Sequence, residues 1–514
     1  MSQCGAECLA DLRSSCTDPR DDKRRIEDKK GGLLKGSYKW VLDHPEFKRY
    51  LAEDISRTLW IKGDAGKGKT MLLCGIIDEL DASTRSGSLP QTRLISYFFC
   101  EATDTRLRSS TAVLKGLMYL LLDRHASLIS TLEAKHKHTG KRLFDDSDIN
   151  AFAALSDILE KLLCDSAVPP TFICINALDE CEDGRSELLR FIRKMASTPT
   201  SRARWILTSR NWPEIQQELS FEDSRTTLSL ELNADHVSQA IEAYIQHKAS
   251  QLTPIRHNET LRRQVVSQLS KRADGTFLWV ALVFQELLKC QITSKLLPLV
   301  ETMPSGLTPL YGRMLDQISN NEHAETCRRV LSTATLASRP LHLKELQDLA
   351  GLNEVDDIEV AVNLCASFLT IRQDKVYLIH QSAKDYLGQH ASDTVFEGSE
   401  ANAHRNILLQ SLRVMSAVLH QDMYELRRPG TLKTDISRPD PDPLAPISYA
   451  CAYWIDHLLS SRSWERDGKD VLQFLNQHFL HWLESISILG VFSECSSSLR
   501  KLVHEVHVGR GCAL

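Results

Sequence analysis

Gly63-Asp64-Ala65-Gly66-Lys67-Gly68-Lys69-Thr70 is the stretch on which the reading of this chain turns. A glycine, four residues and then Gly-Lys-Thr is the spacing of a phosphate-binding loop. Its flanks suit that role: an apolar run, Leu59-Trp60-Ile61, comes before it and a helix-forming run, Met71-Leu72-Leu73, comes after. Each residue type has a physical reason. Glycines let the backbone wrap closely enough for its N–H groups to face phosphate oxygens. The N-terminus of the following helix adds partial positive charge. Lys69 belongs on the β- and γ-phosphates, and the Thr70 hydroxyl on Mg²⁺. The competing reading, a chance Gly-rich turn, does not account for both flanks.

Outward from this loop, short apolar runs recur at Leu94 to Phe99, Thr171 to Ile175, Trp205 to Thr208 and Thr226 to Leu230. Helix-period stretches such as Ala112 to Leu122 lie between them. Buried strands alternating with helices predict an α/β domain, a parallel sheet covered on both faces. The run Thr171 to Ile175 leads into Asn176-Ala177-Leu178-Asp179-Glu180. A strand delivering acidic residues at its end is how such proteins bring a carboxylate to Mg²⁺ and to the attacking water. Glu180 is the candidate to polarise that water, and Asp179 the candidate to hold the metal or its water shell. Asp179 as a helix N-cap is the structural alternative. The run Trp205 to Thr208 ends in Ser209-Arg210. Arg210 is placed either to read a γ-phosphate or to make a surface salt bridge.

The bulk properties narrow the class. A chain of 514 residues exceeds one hydrophobic core. Its net charge of −5 argues against general binding to nucleic acid. No apolar run approaches the ~20 residues needed to span a bilayer; the most apolar stretch, Phe277 to Phe284, is far shorter. The 14 cysteines follow no zinc-site spacing, and Cys4, Cys8 and Cys16 lack a completing His or Cys. Free thiols and no apolar leader predict a cytoplasmic protein with neither membrane nor nucleic acid among its partners.

The first 50 residues read as a polar, charged lead-in with a Gly31-Gly32 turn. The nucleotide-binding domain is expected over 51–232. A helical domain should follow over 233–320, opening where Asn233 caps a helix whose apolar positions are Val237, Ile241, Tyr244 and Ile245. Residues 321–392 read as helix, helix and a two-stranded hairpin around Arg372-Gln373-Asp374, the pattern of a winged helix. Residues 393–514 form a further helical region rich in Trp, with Trp454, Trp464 and Trp482.

Taken together these motifs resemble the NACHT nucleoside triphosphatases of the STAND class, in their fungal, nephrocystin-like branch. The resemblance runs from about Cys8 to about Leu499. It is carried by Thr17-Asp18-Pro19-Arg20-Asp21-Asp22-Lys23, Lys30-Gly31-Gly32-Leu33-Leu34, the phosphate loop and Tyr97-Phe98-Phe99-Cys100-Glu101. Further motifs are Ala177-Leu178-Asp179-Glu180-Cys181, Thr208-Ser209-Arg210, Gly275-Thr276-Phe277-Leu278-Trp279-Val280 and Ile379-His380-Gln381-Ser382-Ala383-Lys384-Asp385-Tyr386-Leu387.

The resemblance implies a switch that rests closed on ADP or GDP, opens on exchange to ATP or GTP and self-associates. It would signal to a downstream effector protein in non-self recognition or programmed cell death. It also implies that the winged-helix histidine, His380, touches the diphosphate in the closed state. From the residues alone, His380 ends a strand and begins a helix, and a packed turn residue is equally consistent. The family usually has Asp where Asn176 stands, so hydrolysis should be slow; Asn176 is retained as a metal-site candidate through its carbonyl. The lead-in is short for an effector domain, and His507 to Leu514 departs from the family pattern, as expected of a chain ending before sensor repeats. A core that binds nucleotide without signalling, and a P-loop kinase or other ordinary enzyme, are the alternatives.

Overall fold

The computed structural model describes residues 3–503 except 53–56, 86–92, 126–127, 147, 149, 220–224, 257, 291, 353–356, 427–430, 432–435, 493–494 and 497. The terminal residues His507 to Leu514, and the side chain of Cys4, lie outside what is described. The chain divides into two compact units, Met1–Leu310 and Tyr311–Leu514.

In the first unit the lead-in is folded, not a solvated tail. It forms α1 (Gln3–Ser14), α2 (Pro19–Lys29), α3 (Lys35–Asp43) and α4 (Pro45–Ala52). The start of α2 has a local cause: the Asp18 side chain accepts the Arg20 N–H, Pro19 takes the first helical position, and Asp21 and Asp22 face the positive end of the helix. Asp22 and Lys23 are buried, so this charged run has an inward face.

The elements β1 (Thr58–Lys62), α5 (Lys69–Arg85), β2 (Leu94–Phe99), α6 (Ser110–Arg124), α7 (Ile129–Thr139), α8 (Ala151–Cys164) and β3 (Thr171–Asn176) follow. After them come α9 (Arg185–Ser197), β4 (Ala203–Ser209), α10 (Pro213–Leu219) and β5 (Arg225–Ser229). The five strands form a parallel sheet in the order β2-β3-β4-β1-β5. Every residue of β2, β3 and β4 is buried, which is why these strands read as continuous apolar runs. The fold is therefore the α/β P-loop domain that the sequence predicts.

Helices α11 (Ala234–Gln251), α12 (Glu259–Arg272), α13 (Phe277–Lys289), α14 (Thr293–Thr302) and α15 (Leu307–Ser319) come next. Val237, Ile241 and Ile245 of α11 are buried as their spacing predicts. Asn233 holds the cap position without capping. Its amide donates to Ser229 O at 2.8 Å, and its carbonyl oxygen meets His44 Nε2 at 2.9 Å.

The second unit contains α16 (Ala324–Leu336), β6 (Leu341–His342), α17 (Leu343–Leu349), α18 (Ile358–Leu364), β7 (Leu369–Arg372) and β8 (Lys375–Leu378). Strands β6, β8 and β7 form a three-stranded antiparallel sheet, which gives the helices and wing of a winged helix. Two turn residues, Gln373 and Asp374, both have positive φ and close the wing tightly. The two-residue strand β6 carried no readable signal. Short helices α19 (Gln381–Asp385) and α20 (Ser392–Val395) lead to α21 (Glu400–Val418), α22 (Ser448–Ser461) and α23 (Trp464–Leu489). Trp454 and Trp482 sit in the core of that helical group, with Trp464 packed at its edge. Among the described residues no helix is long and apolar enough to cross a membrane.

Candidate functional site: the phosphate loop and the strand ends beside it

The strand order decides what meets at the C-terminal edge of the sheet. β4 lies between β1 and β3, so the end of β4 separates the loop after β1 from the acids after β3. Crevices outside such strand ends are where parallel sheets hold ligands.

Gly63 leaves β1 with its N–H donated to Ser209 O of β4 at 3.3 Å. Gly66 and Gly68 both have positive φ, +77° and +87°, before α5 opens at Lys69. Space matters as much as conformation there. A Cβ on Gly66 would fall 2.7 Å from Thr276 Cγ2, and one on Gly68 would fall 2.8 Å from Phe277 Cδ2. The Lys69 ammonium folds back onto the loop, donating to Gly63 O and, at 2.8 Å, to Asp64 O. Burial pulls this lysine down to about 8, with the Asp179 carboxylate opposing. A cation held by carbonyls of an anion-binding loop is poised to exchange them for phosphate oxygens.

Asp179 and Arg210 form a pair across β3 and β4. Asp179 Oδ1 accepts the Arg210 backbone N–H at 3.0 Å, and Oδ2 lies 3.2 Å from Arg210 Nε. With side chains 3% and 17% exposed, this is an enclosed ion pair, not a surface bridge. Nor is Asp179 an N-cap: Ala177, at φ +53°, precedes the 3₁₀ turn Leu178–Glu180, and Gly184 precedes α9. Glu180 Oε2 accepts the Ala102 N–H at 3.2 Å. Burial first, and the adjacent Asp179 charge second, push Glu180 up to about 7, the range of a working general base. Asn176 is buried at the end of β3, where its Oδ1 accepts from Thr208 Oγ1 at 3.0 Å. That hydroxyl in turn accepts the Ala177 N–H at 2.9 Å.

Three groups escaped the sequence reading. Glu231 lies just beyond β5. Its Oε1 accepts the Asp64 N–H at 2.7 Å, and its Oε2 accepts from Ser229 Oγ at 2.9 Å. Burial acts to raise this carboxyl, but the Asp64 N–H, its own backbone N–H, the Ser229 hydroxyl and the Lys69 charge together outweigh it and hold the group low. The start of α13 roofs the loop: Phe277 and Leu278 donate backbone N–H to Gly66 O at 2.9 and 3.4 Å. Lys67 Nζ reaches Asp274 O at 3.1 Å. The third group is Ala102, which acts through its backbone. Of these only Gly275-Thr276-Phe277 stood within a quoted motif, and no role could be read from it.

His380 belongs to the second unit. It precedes α19, and its Nδ1 accepts the Ser382 N–H at 3.0 Å and lies 2.8 Å from Ser382 Oγ. An Nδ1 that accepts a backbone N–H puts the neutral ring's proton on Nε2, leaving that edge a donor.

The Thr70 hydroxyl, the Asp179 carboxylate and the Asn176 carbonyl are oxygen donors at the first unit's strand ends, the donor type Mg²⁺ requires. The Thr70 hydroxyl, at the start of α5, and Asp179, through its water shell, are the residues that fit. Asn176 offers its remaining carbonyl lone pair and no charge. Mg²⁺ there would neutralise phosphate charge.

Comparison with known proteins agrees with this geometry. The nephrocystin 3 N-terminal family matches residues 36–210. The vegetative incompatibility protein HET-E-1 of Podospora anserina is 42% identical over 522 residues, covering 96% of this chain. The chain spans 38% of that relative's length. Among solved structures, Drosophila ORC bound to DNA and the Aeropyrum pernix ORC2 protein in its ADPNP–ADP complexes each give a TM-score of 0.32 at 12% identity. Each match covers 73% of this chain, with 92% and 94% of the other chains. Likeness at that level carries no weight here. Identity of 42% over almost the whole chain does, and the protein belongs to the fungal NACHT nucleoside triphosphatases, in their nephrocystin-like branch.

Proposed function

We propose that this NACHT nucleoside triphosphatase is a slow molecular switch, set by whether the bound nucleotide carries a γ-phosphate. The observation that supports it most is the enclosed Asp179–Arg210 pair beside Lys69. A γ-phosphate brings more charge than one carboxylate, so Arg210 exchanges Asp179 for the phosphate and Asp179 becomes available to the Mg²⁺ water shell. A diphosphate lacks the oxygens to drive that exchange. Glu180, with one oxygen held by Ala102, keeps the other for the attacking water. Hydrolysis is slow because Asn176 brings no charge to the metal. ATP/ADP and GTP/GDP are both compatible with these contacts, none of which touches a base.

In the diphosphate state, His380 of the winged helix acts as a latch through Nε2–H, a contact worth roughly 1–3 kcal/mol. Exchange to triphosphate releases it and favours self-association and engagement of an effector protein. The incompatibility role named for the Podospora anserina relative suggests that the signal serves non-self recognition. The test is His380→Ala, with diphosphate off-rate measured by stopped flow and particle mass in solution. A loss of roughly 1–3 kcal/mol speeds release about 5- to 150-fold, and the self-associated fraction with triphosphate rises. An unchanged off-rate in a folded variant would remove the latch and leave a nucleotide-binding protein without this switch.

A further inference from the structure

The charged lead-in run ending at Lys30 takes no part in the mechanism above, yet it lies against the catalytic edge. Lys23 of α2 reaches Asp78 on the phosphate-loop helix α5 at 2.7 Å. Two residues on, Arg25 Nη2 lies 3.0 Å from Glu101 Oε2 and 3.2 Å from Asp22 Oδ1. Glu101 and Ala102 follow β2, and it is the Ala102 N–H that holds Glu180 Oε2. One carboxylate and one peptide unit therefore separate the Arg25 guanidinium from the proposed base.

We propose that Arg25 is a positioning residue for Glu180: by fixing Glu101 it fixes the Ala102 amide that orients the catalytic carboxylate. This rests on reading Glu180 as the group that polarises water. A glutamate side chain has three rotatable bonds, and attack on a phosphoryl group tolerates little misplacement of its base. Without the guanidinium, Glu101 loses its ion pair with α2, keeping the Thr103 hydroxyl at 3.4 Å and the nearby Lys30 charge, and the segment after β2 loses its anchor. The Arg25 side chain is 37% exposed and that of Glu101 22% exposed, and pairs so placed contribute little to stability. Loss of Arg25 should therefore act on rate more than on fold. A single nitrogen, Nη2, meets both Asp22 and Glu101, so a lysine ammonium at this position keeps part of the same bridge.

The experiment uses the full chain, with single-turnover hydrolysis of Mg-ATP and Mg-GTP and nucleotide affinity by calorimetry. Arg25→Gln is expected to slow hydrolysis by about 10- to 100-fold with affinity unchanged, and Arg25→Lys to recover part of the loss. The exchanged pair Arg25→Glu with Glu101→Arg should hydrolyse faster than Arg25→Glu alone. If Arg25→Gln fails to fold, Glu101→Gln carries the same expectation from the other side. An unchanged rate, a rate that falls together with affinity, or no recovery in the exchanged pair overturns the proposal. A wild-type protein that binds nucleotide but never hydrolyses it would instead overturn the underlying reading of Glu180.

Discussion

Replacing Lys69 with Met should move binding and stability in opposite directions. In the nucleotide-free protein the ammonium is disfavoured, since burial draws it from 10.5 down to about 8. Because the folded value lies below the unfolded one, this deficit is full below pH 8 and vanishes above the unfolded value. The full shift sets an upper value of about 3 kcal/mol at pH 7. Methionine keeps the aliphatic stem and removes that deficit. With triphosphate bound the sign reverses, because a charge-assisted contact of roughly 1.5–3 kcal/mol is lost. Affinity should then fall roughly 10- to 150-fold. Urea unfolding at pH 7 without nucleotide, and calorimetry with Mg-ATP and Mg-GTP, measure the two effects. Unchanged affinity, or a nucleotide-free variant destabilised by more than about 1 kcal/mol, would show that Lys69 does not hold phosphate in this way.

Two further predictions concern other parts of the chain. Asn176→Asp keeps an acceptor for Thr208 and adds the missing charge, so hydrolysis should quicken and its Mg²⁺ dependence steepen; no change would make Asp179 the metal-site carboxylate. In the second unit, burial pulls His457 to about 3 and His404 to about 4, both from 6.5. His404 Nδ1 meets His457 Nδ1 at 2.8 Å, and His457 Nε2 lies 2.8 Å from Tyr449 OH. The unfolded chain binds more protons below pH 6.5, so stability is full above that value and falls as pH drops toward 4. At pH 5 the loss is about 2 kcal/mol per histidine. Thermal melts from pH 7 to 5 should show this slope, and His457→Gln should flatten it.

The phosphate loop, the five strands and the acid-ended β3 were legible because each is a local pattern with a fixed chemical reason. Asp18-Pro19, followed by two acidic residues, is also a helix start, yet the surrounding charge led the segment to read as solvated. Its buried Asp22 and Lys23 become visible only once α5 and β2 are placed beside α2. Glu231 and the α13 roof are contacts across long sequence separation, to Asp64 and Gly66, and no spacing rule reports such contacts. Thr208 could not be linked to Asn176 without the strand order, which brings β4 alongside β3. The two-residue β6 is too short for periodicity to detect.

Residues Gly63 to Thr70 are expected to hold a nucleoside phosphate in the resting protein. Mass spectrometry of the small molecules released on denaturing the purified chain tests it most directly, beside Lys69→Met prepared in the same way. Nucleoside diphosphate approaching one per chain is expected in the wild type, with a marked loss in the variant. Protein that releases none, and binds neither Mg-ATP nor Mg-GTP when either is added back, would contradict it.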